Sequence, residues 1–201
     1  MSQPKPLRLA VTGGIGCGKS ATGAALQSLG VAVLDSDGLV HDFLTRDADV
    51  QTAIRARFGD GVFRDGTVDR RALAAIVFAD AAARADLEII LHPRVRTATD
   101  AWLAAQGATQ SCAVIIPLLY EVGREKDFPL VACVACSPAL QHERLRQRGW
   151  SEEEIARRLA AQWPTEEKVK RAQIVIWTDG APENHAAQWR RALPELARRN
   201  L

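Results

Sequence analysis

Five short runs of apolar residues punctuate the chain, at 7–12, 31–35, 112–117, 130–135 and 174–177. They lack the polar alternation of a half-exposed strand and are shorter than an ordinary helix. Such runs predict strands buried on both faces. Residues 19–29 instead place alanine and leucine at helical spacing, with Gly30 as a stop. Strand and helix in alternation predict an α/β fold, a parallel sheet covered by helices on both faces.

Residues 38–107 follow a different pattern. Ile54, Phe58, Leu73, Ile76, Val77, Leu87, Ile90 and Leu91 recur at helical intervals with no clear strand among them. A helical insertion between the second and third strands is expected. Phe58-Gly-Asp-Gly61 and Arg64-Asp-Gly66 supply its turns. Pro93 is expected to kink or break the helical stretch 81–105. A second helical stretch, 138–172, is rich in arginine: Arg144, Arg146, Arg148, Arg157 and Arg158. The tail, 182–199, reads as a helix that packs on the sheet through Trp189, Leu193 and Leu196. Without repeats or low-complexity linkers, residues 1–201 read as one domain. Its core is about 7–37, 108–137 and 173–199, interrupted by the segments 38–107 and 138–172.

Composition narrows the function more than the fold. The net charge of +2 is too small to argue for nucleic acid or an anionic membrane as partner. The polar start, Met1 to Pro6, is unlike a secretory signal. The longest apolar stretch, 112–120, contains Pro117 and is far too short to span a bilayer. Four cysteines without a signal peptide point to a reducing compartment, so a cytoplasmic protein is expected. Cys133 and Cys136 form one C-x-x-C with no second pair to complete a zinc site. Set in an apolar strand, they read as core.

The chemistry lies in Gly13-Gly-Ile-Gly-Cys-Gly-Lys-Ser20, which fits G-x-x-x-x-G-K-[ST] in full. It follows an apolar strand and precedes a helix, as the motif requires. Glycines let successive N–H groups turn toward a phosphate, and the helix start adds its positive dipole end. Gly13, Gly14, Ile15, Gly16, Cys17, Gly18, Lys19, Ser20 and Ala21 are therefore candidate ATP contacts. Lys19 can reach the β- and γ-phosphates, and the Ser20 hydroxyl can ligate Mg²⁺. Cys17, in a loop facing solvent when empty and two residues from Lys19, is expected to be the most reactive thiol.

The class of P-loop protein follows from what accompanies the motif. No guanine-reading N/T-K-x-D is present, and the chain is too short for a motor or transporter ATPase. A small-molecule kinase fits, because phosphoryl transfer needs cations around the moving charge. Arg144 and Arg148, four apart, share a helical face and are the candidates, a solvated face being the plainer use of either. Asp35 and Asp37 are read at the end of the second strand, where parallel sheets hold ligands. On extended chain both would point the same way. One carboxylate there either orients or deprotonates an acceptor hydroxyl, holds Mg²⁺ through water, or caps the helix that follows.

Taken together, these residues resemble the dephospho-coenzyme A kinase family over nearly the whole chain. The resemblance runs from Thr12-Gly-Gly-Ile-Gly-Cys-Gly-Lys-Ser20 through Leu29-Gly-Val and Asp35-Ser-Asp37. It continues with Phe58-Gly, Asp65-Gly, Asp69-Arg70, Leu87-Glu and His92-Pro93. Pro117-Leu-Leu-Tyr-Glu121, Gln141…Arg144-Leu…Arg148 and Arg158…Gln162 complete it. It implies a P-loop NTPase fold: a five-stranded parallel sheet flanked by helices. The segment 38–107 becomes an acceptor-binding insertion and 138–172 a lid. The implied reaction is ATP-dependent phosphorylation of the ribose 3′-hydroxyl of dephospho-coenzyme A, the last step of coenzyme A biosynthesis. Asp37 matches the carboxylate that activates this hydroxyl. Arg144 and Arg148 match the lid, and His92, Leu118, Tyr120 and Glu121 the acceptor side. For His92, packing before Pro93 is the equal alternative. Mg²⁺ with ATP is the implied cofactor, and no obligatory protein partner is expected.

Three positions depart from the family pattern. Cys17 stands where serine is usual, with little effect on a loop that binds through N–H groups. Ile115 stands where many members carry aspartate, which shifts metal support toward Ser20, Asp37 and water. Thr178 replaces an asparagine expected near the adenine ring, and Gln173 replaces an aspartate close by.

Overall fold

A computed structural model describes residues 6–199. Residues 1–5 of the polar start, and residues 200–201, lie outside the described residues. The chain forms two compact units. One takes in the described residues up to Asp35 and from Gln106 onward, the other Ser36–Ala105.

Along the chain the elements are β1 (Arg8–Gly13), α1 (Lys19–Ser28), β2 (Ala32–Asp35), α2 (Ser36–Arg46) and α3 (Ala48–Phe58). A hairpin of β3 (Phe63–Arg64) and β4 (Thr67–Val68) precedes α4 (Arg70–Ala79) and α5 (Ala81–Ala105). Then come β5 (Cys112–Ile115), β6 (Leu130–Ala135), α6 (Pro138–Gln147) and α7 (Glu152–Ala160). Last are α8 (Thr165–Arg171), β7 (Ile174–Trp177) and α9 (Pro182–Arg199).

In the first unit five parallel strands take the order β2-β5-β1-β6-β7. The strand β1 is central, with Val11 level with Ile115 on one side and Ala132 on the other. A parallel strand whose two faces are both covered by the rest of the fold is apolar on both, as the buried Leu9, Ala10 and Val11 are. These residues explain why the apolar runs lacked alternation. Against the sheet pack Leu26 of α1 and Trp189, Leu196 and the partly buried Leu193 of α9. Cys133 lies inside β6 and Cys136 follows it; both are buried free thiols. Central placement of β1 puts the loop after it at the carboxyl edge of the sheet, where open α/β sheets bind ligands.

The second unit has its own core of Leu44, Val50, Ile54, Val62, Leu73, Val77 and Leu91. Two aspartates start its helices. Asp47 accepts from Asp49 N and Val50 N, and Asp69 from Arg71 N and Ala72 N. Those backbone N–H donors hold the Asp69 carboxyl below its ordinary value.

Three expectations change here. The insertion contains a small antiparallel hairpin, whose two-residue strands are too short to show a period in sequence. Pro93 does not break α5, which is continuous from Ala81 to Ala105. The carbonyl it leaves without an N–H is that of Ile89, whose side chain is 72% exposed, so water can satisfy it. Asp37 lies in the first turn of α2 rather than on extended chain, because the helix begins at Ser36. The argument that Asp35 and Asp37 share a direction by strand alternation therefore fails.

The Trp189 side chain is completely buried where α9 meets the sheet. Trp189→Ala is expected to destabilise the protein by about 3–5 kcal/mol, the usual scale for a large aromatic removed from a core. Urea unfolding measures it; a loss under about 1 kcal/mol would mean that α9 is not part of the cooperative core.

Candidate active site

The loop between β1 and α1 is shaped by contacts that tolerate no side chain at two of its glycines. A Cβ on Gly13 would collide with the carbonyl oxygen of Val134 in β6. Gly18 sits at φ 93° as the N-cap of α1, in the left-handed region, with the Thr178 methyl close beside it. The result is a tight turn opening directly onto a helix N-terminus, the arrangement that binds phosphate oxygens. Lys19 Nζ donates to the carbonyls of Gly13 (2.8 Å) and Gly14 (2.9 Å), so its charge is fixed over the loop. Ser20 and Ala21 are exposed on the first turn of α1.

Side chains from the segment 138–172 hold this loop from the other side. Gln141 Nε2 donates to the Ile15 carbonyl (2.6 Å), and Gln162 Oε1 accepts from the Ile15 N–H (3.2 Å). The two peptide groups that flank the Ile15 Cα are thus each held by a side-chain amide. Arg144 makes a forked contact with Thr178, through NH1 to Oγ1 (2.8 Å) and NH2 to the carbonyl (2.7 Å), and approaches the Gly16 carbonyl (3.4 Å). The Thr178 hydroxyl in turn donates to the Cys17 carbonyl (3.0 Å). Thr178 is buried, and its hydroxyl is committed to the loop and to Arg144. Arg148 does not join them. It is exposed at the end of α6, facing the Trp150 ring at 6.0 Å, with Arg158 over the same ring at 4.2 Å.

Cys17 is not the solvent-facing thiol that the motif suggested. It is completely buried on the inner side of the loop, where Gly14 brings it next to Thr165 and Gln141. The Cys136 thiol donates to Cys17 Sγ across 3.6 Å. That donation, with Lys19 nearby and a weaker contribution from Thr165, outweighs burial and lowers the Cys17 pKa to about 6.

The segment after β5 is fixed by a buried cation. Lys168 of α8 is wholly buried and bonds both to the Pro117 carbonyl (2.7 Å) and to Glu121 Oε1 (2.7 Å). The same carboxylate oxygen accepts from Trp163 N (2.8 Å). Tyr120 stacks on Trp163 at 5.9 Å, and burial pushes its pKa up to about 12. Leu118 is half-buried in this turn. Ile115 packs into the core against Gly23 of α1. So Lys19, Ser20, Cys17, Arg144 and Thr178 form one assembly, and Tyr120 and Glu121 form another with Trp163 and Lys168. Asp37, exposed on α2, and His92, half-buried within α5, belong to the second unit.

Sequence reasoning missed Gln162, Thr165 and Lys168 as parts of the site. Gln141 and Gln162 stood in the quoted resemblance but had no assigned role. Lys168 lies among Glu166, Glu167 and Lys170, a stretch that reads as a solvated helix. Nothing in that pattern marks the one lysine that is buried. For a divalent cation, Ser20 offers a hard oxygen ligand at the helix start. Among the described residues no cluster of three or more His, Cys, Asp or Glu could hold a metal. Such a site fits Mg²⁺, which keeps phosphate oxygens and waters for most of its shell.

Comparison with known proteins bears on this geometry. The family model for dephospho-CoA kinase matches residues 7–184. A dephospho-CoA kinase of Synechococcus sp. (strain CC9902) is 41% identical over 180 residues, 88% of this chain and 90% of that one. The crystal structure of a Thermus thermophilus protein superposes with a TM-score of 0.81 at 36% identity, covering 95% of this chain and 98% of the other. That of dephospho-CoA kinase from Campylobacter jejuni gives 0.69 at 25% identity, covering 96% and 98%.

The buried pair yields a direct test. Lys168→Met leaves the Glu121 carboxylate buried without its cation, and removal of one partner of such a pair costs about 3–5 kcal/mol. The double substitution Lys168→Met with Glu121→Leu is expected to recover most of that loss in thermal or urea unfolding. Equal destabilisation by the single and double variants would show that the two side chains are not energetically coupled.

Proposed function

The chain belongs to the dephospho-CoA kinase family, and we propose how its residues divide the work of moving the γ-phosphoryl group of ATP to dephospho-coenzyme A. The reaction is the ATP-dependent phosphorylation that completes coenzyme A, and the acceptor atom we assign is the ribose 3′-hydroxyl. The observation that carries this reading is the gripped phosphate loop, with Lys19 and Arg144 both anchored on its carbonyls. Phosphoryl transfer spreads negative charge over three oxygens, and the largest help a protein can give is cations already in place.

Lys19 supplies a point charge at the β- and γ-phosphates. Arg144 carries a second charge from α6, and its fork to Thr178 holds that charge beside the loop. The start of α1 and the loop N–H groups other than those of Ile15 and Cys17, which bond Gln162 and Gly14, receive the phosphate oxygens. Ser20 would hold Mg²⁺ together with ATP and water; the ion's contribution is to offset phosphate charge. Asp37 accepts, or aims, the proton of the acceptor hydroxyl. Arg148 enters as a further lid cation.

On the acceptor side Leu118 and His92 are the residues we assign to contact. Glu121 and Tyr120 act through the scaffold: the Glu121 carboxylate fixes Trp163 and Lys168, and Lys168 fixes the Pro117 carbonyl. Thr178 orders the loop and Arg144 instead of presenting a paired donor and acceptor to the base. Among the described residues no helix is long and apolar enough to cross a membrane. The place of action we propose is the cytoplasm.

Asp37→Asn is expected to lower kcat by about 10²–10⁴-fold with little change in ATP affinity, the range of general-base contributions. Lys19→Ala is expected to weaken ATP binding and turnover together, since it touches phosphate before and during transfer. ADP release with dephospho-coenzyme A, measured beside nucleoside and shikimate acceptors, reads both. Near-normal kcat for a folded Asp37→Asn would reduce Asp37 to a helix-start residue, and turnover of another acceptor at the same rate would overturn the substrate assignment.

A further inference from the structure

Two of the four thiols meet beneath the phosphate loop. Cys17 lies between Gly16 and Gly18, and Cys136 directly follows β6. Their sulfurs are 3.6 Å apart, with Cys17 0% and Cys136 5% exposed. We propose that Cys17 and Cys136 are a peroxide-modification site, coupled by oxidation into an intramolecular disulfide that disables the phosphate loop.

The two sulfurs are chemically unequal. Cys17 accepts the Cys136 S–H, has the Lys19 ammonium nearby and stands beside Thr165, so it favours the thiolate. Cys136 gives its hydrogen to Cys17 and is buried, and both facts keep it protonated. Cys17 is therefore the attacking sulfur and Cys136 the resolving one. Neither Cys112 nor Cys133 faces a second thiol, and burial raises both pKa values, for Cys112 in spite of the Arg8 guanidinium at 2.8 Å.

The chemistry balances with hydrogen peroxide as the oxidant. The Cys17 thiolate attacks one peroxide oxygen; the S–O bond forms, the O–O bond breaks and hydroxide leaves. Cys17 has then lost two electrons and is a sulfenic acid. Cys136 sulfur next attacks Cys17 sulfur; the S–S bond forms, the S–O bond breaks, and the oxygen leaves as water with the Cys136 proton. A disulfide needs sulfurs about 2.05 Å apart, so the pair must close by about 1.6 Å from its present 3.6 Å. Peroxide is nearly as small as water. The groups beside Cys17 on the Gly14 side are the Thr165 hydroxyl and the Gln141 amide, both carried by lid-segment helices.

The loop has little slack to absorb that closure. Cys17 N donates to the Gly14 carbonyl (3.2 Å), and the Cys17 carbonyl holds the Thr178 hydroxyl (3.0 Å) and through it Arg144. Gly13 is already against Val134. Drawing Cys17 toward Cys136 displaces peptides that shape the phosphate nest and frees the Arg144 fork. Nucleotide in the loop opposes the same movement, so ATP should slow the oxidation.

The test uses the full chain, reduced or treated with hydrogen peroxide, then alkylated and mapped by mass spectrometry beside an ATP-binding titration. The expected result is a Cys17–Cys136 cross-linked peptide, a fall in ATP affinity of about tenfold or more, full recovery with dithiothreitol, and slower cross-linking under saturating MgATP. Cys136→Ser should retain ATP binding when reduced, form no cross-link, and carry dimedone-reactive sulfenic acid at Cys17. Absence of the cross-link while Cys17 is oxidised overturns the proposal, and so does a cross-link that leaves ATP affinity unchanged. Failure of the reduced protein to bind ATP would instead strike at the nucleotide reading, so the two failures are separable.

Discussion

The backbone of residues 13–20 must hold a tight turn that opens onto the start of α1, and the rest of the site depends on that constraint. Gly13 meets it by lying so close to the Val134 carbonyl that no side chain fits. The first layer of support comes from β1 at the centre of the sheet. A second layer comes from side chains that hold the loop's own peptides: Gln141 and Gln162 on Ile15, Thr178 on Cys17, and Arg144 on Thr178 and Gly16. The bonds from Gln141, Gln162, Thr178 and Arg144 to Ile15, Cys17 and Gly16 each use a loop carbonyl or N–H. Preorganisation of this kind matters in phosphoryl transfer, where positioning and charge carry most of the catalysis.

The arginine-rich segment has two functions that its composition does not separate. Arg144 is part of the loop's support as well as a charge beside it. Arg148 and Arg158 instead gather around Trp150. Lys168 performs a third task from within the protein, tying α8 to the turn at Pro117 and to Glu121. A buried ion pair is a costly way to hold a turn. Its use beside Leu118 and Tyr120 ties the turn after β5 to the position of α8.

The sheet was legible because buried parallel strands leave continuous apolar runs. The run at 130–135 coincides with β6, and that at 174–177 with β7. The tail helix was legible through Trp189, Leu193 and Leu196, which do meet the sheet. What escaped was of a different physical kind. The two-residue strands of the hairpin have no period to detect. Pro93 survives inside α5 because its cost falls on a water-facing turn. Asp37 was placed on extended chain because nothing distinguishes a strand end from a helix start at Ser36. The burial of Cys17 and Lys168 depends on long-range packing, which a local window of sequence does not carry. The phosphate motif itself was read correctly as a motif; the amides that grip it were not.

As proposed, this gripped loop delivers the γ-phosphoryl group of ATP to one ribose oxygen of dephospho-coenzyme A. Phosphorus NMR of the purified product of a single incubation with MgATP and dephospho-coenzyme A addresses it most directly. One new phosphomonoester is expected, coupled to the ribose 3′ proton and formed in equal amount with ADP. ADP without that ester, or a phosphate on any other oxygen, would contradict it.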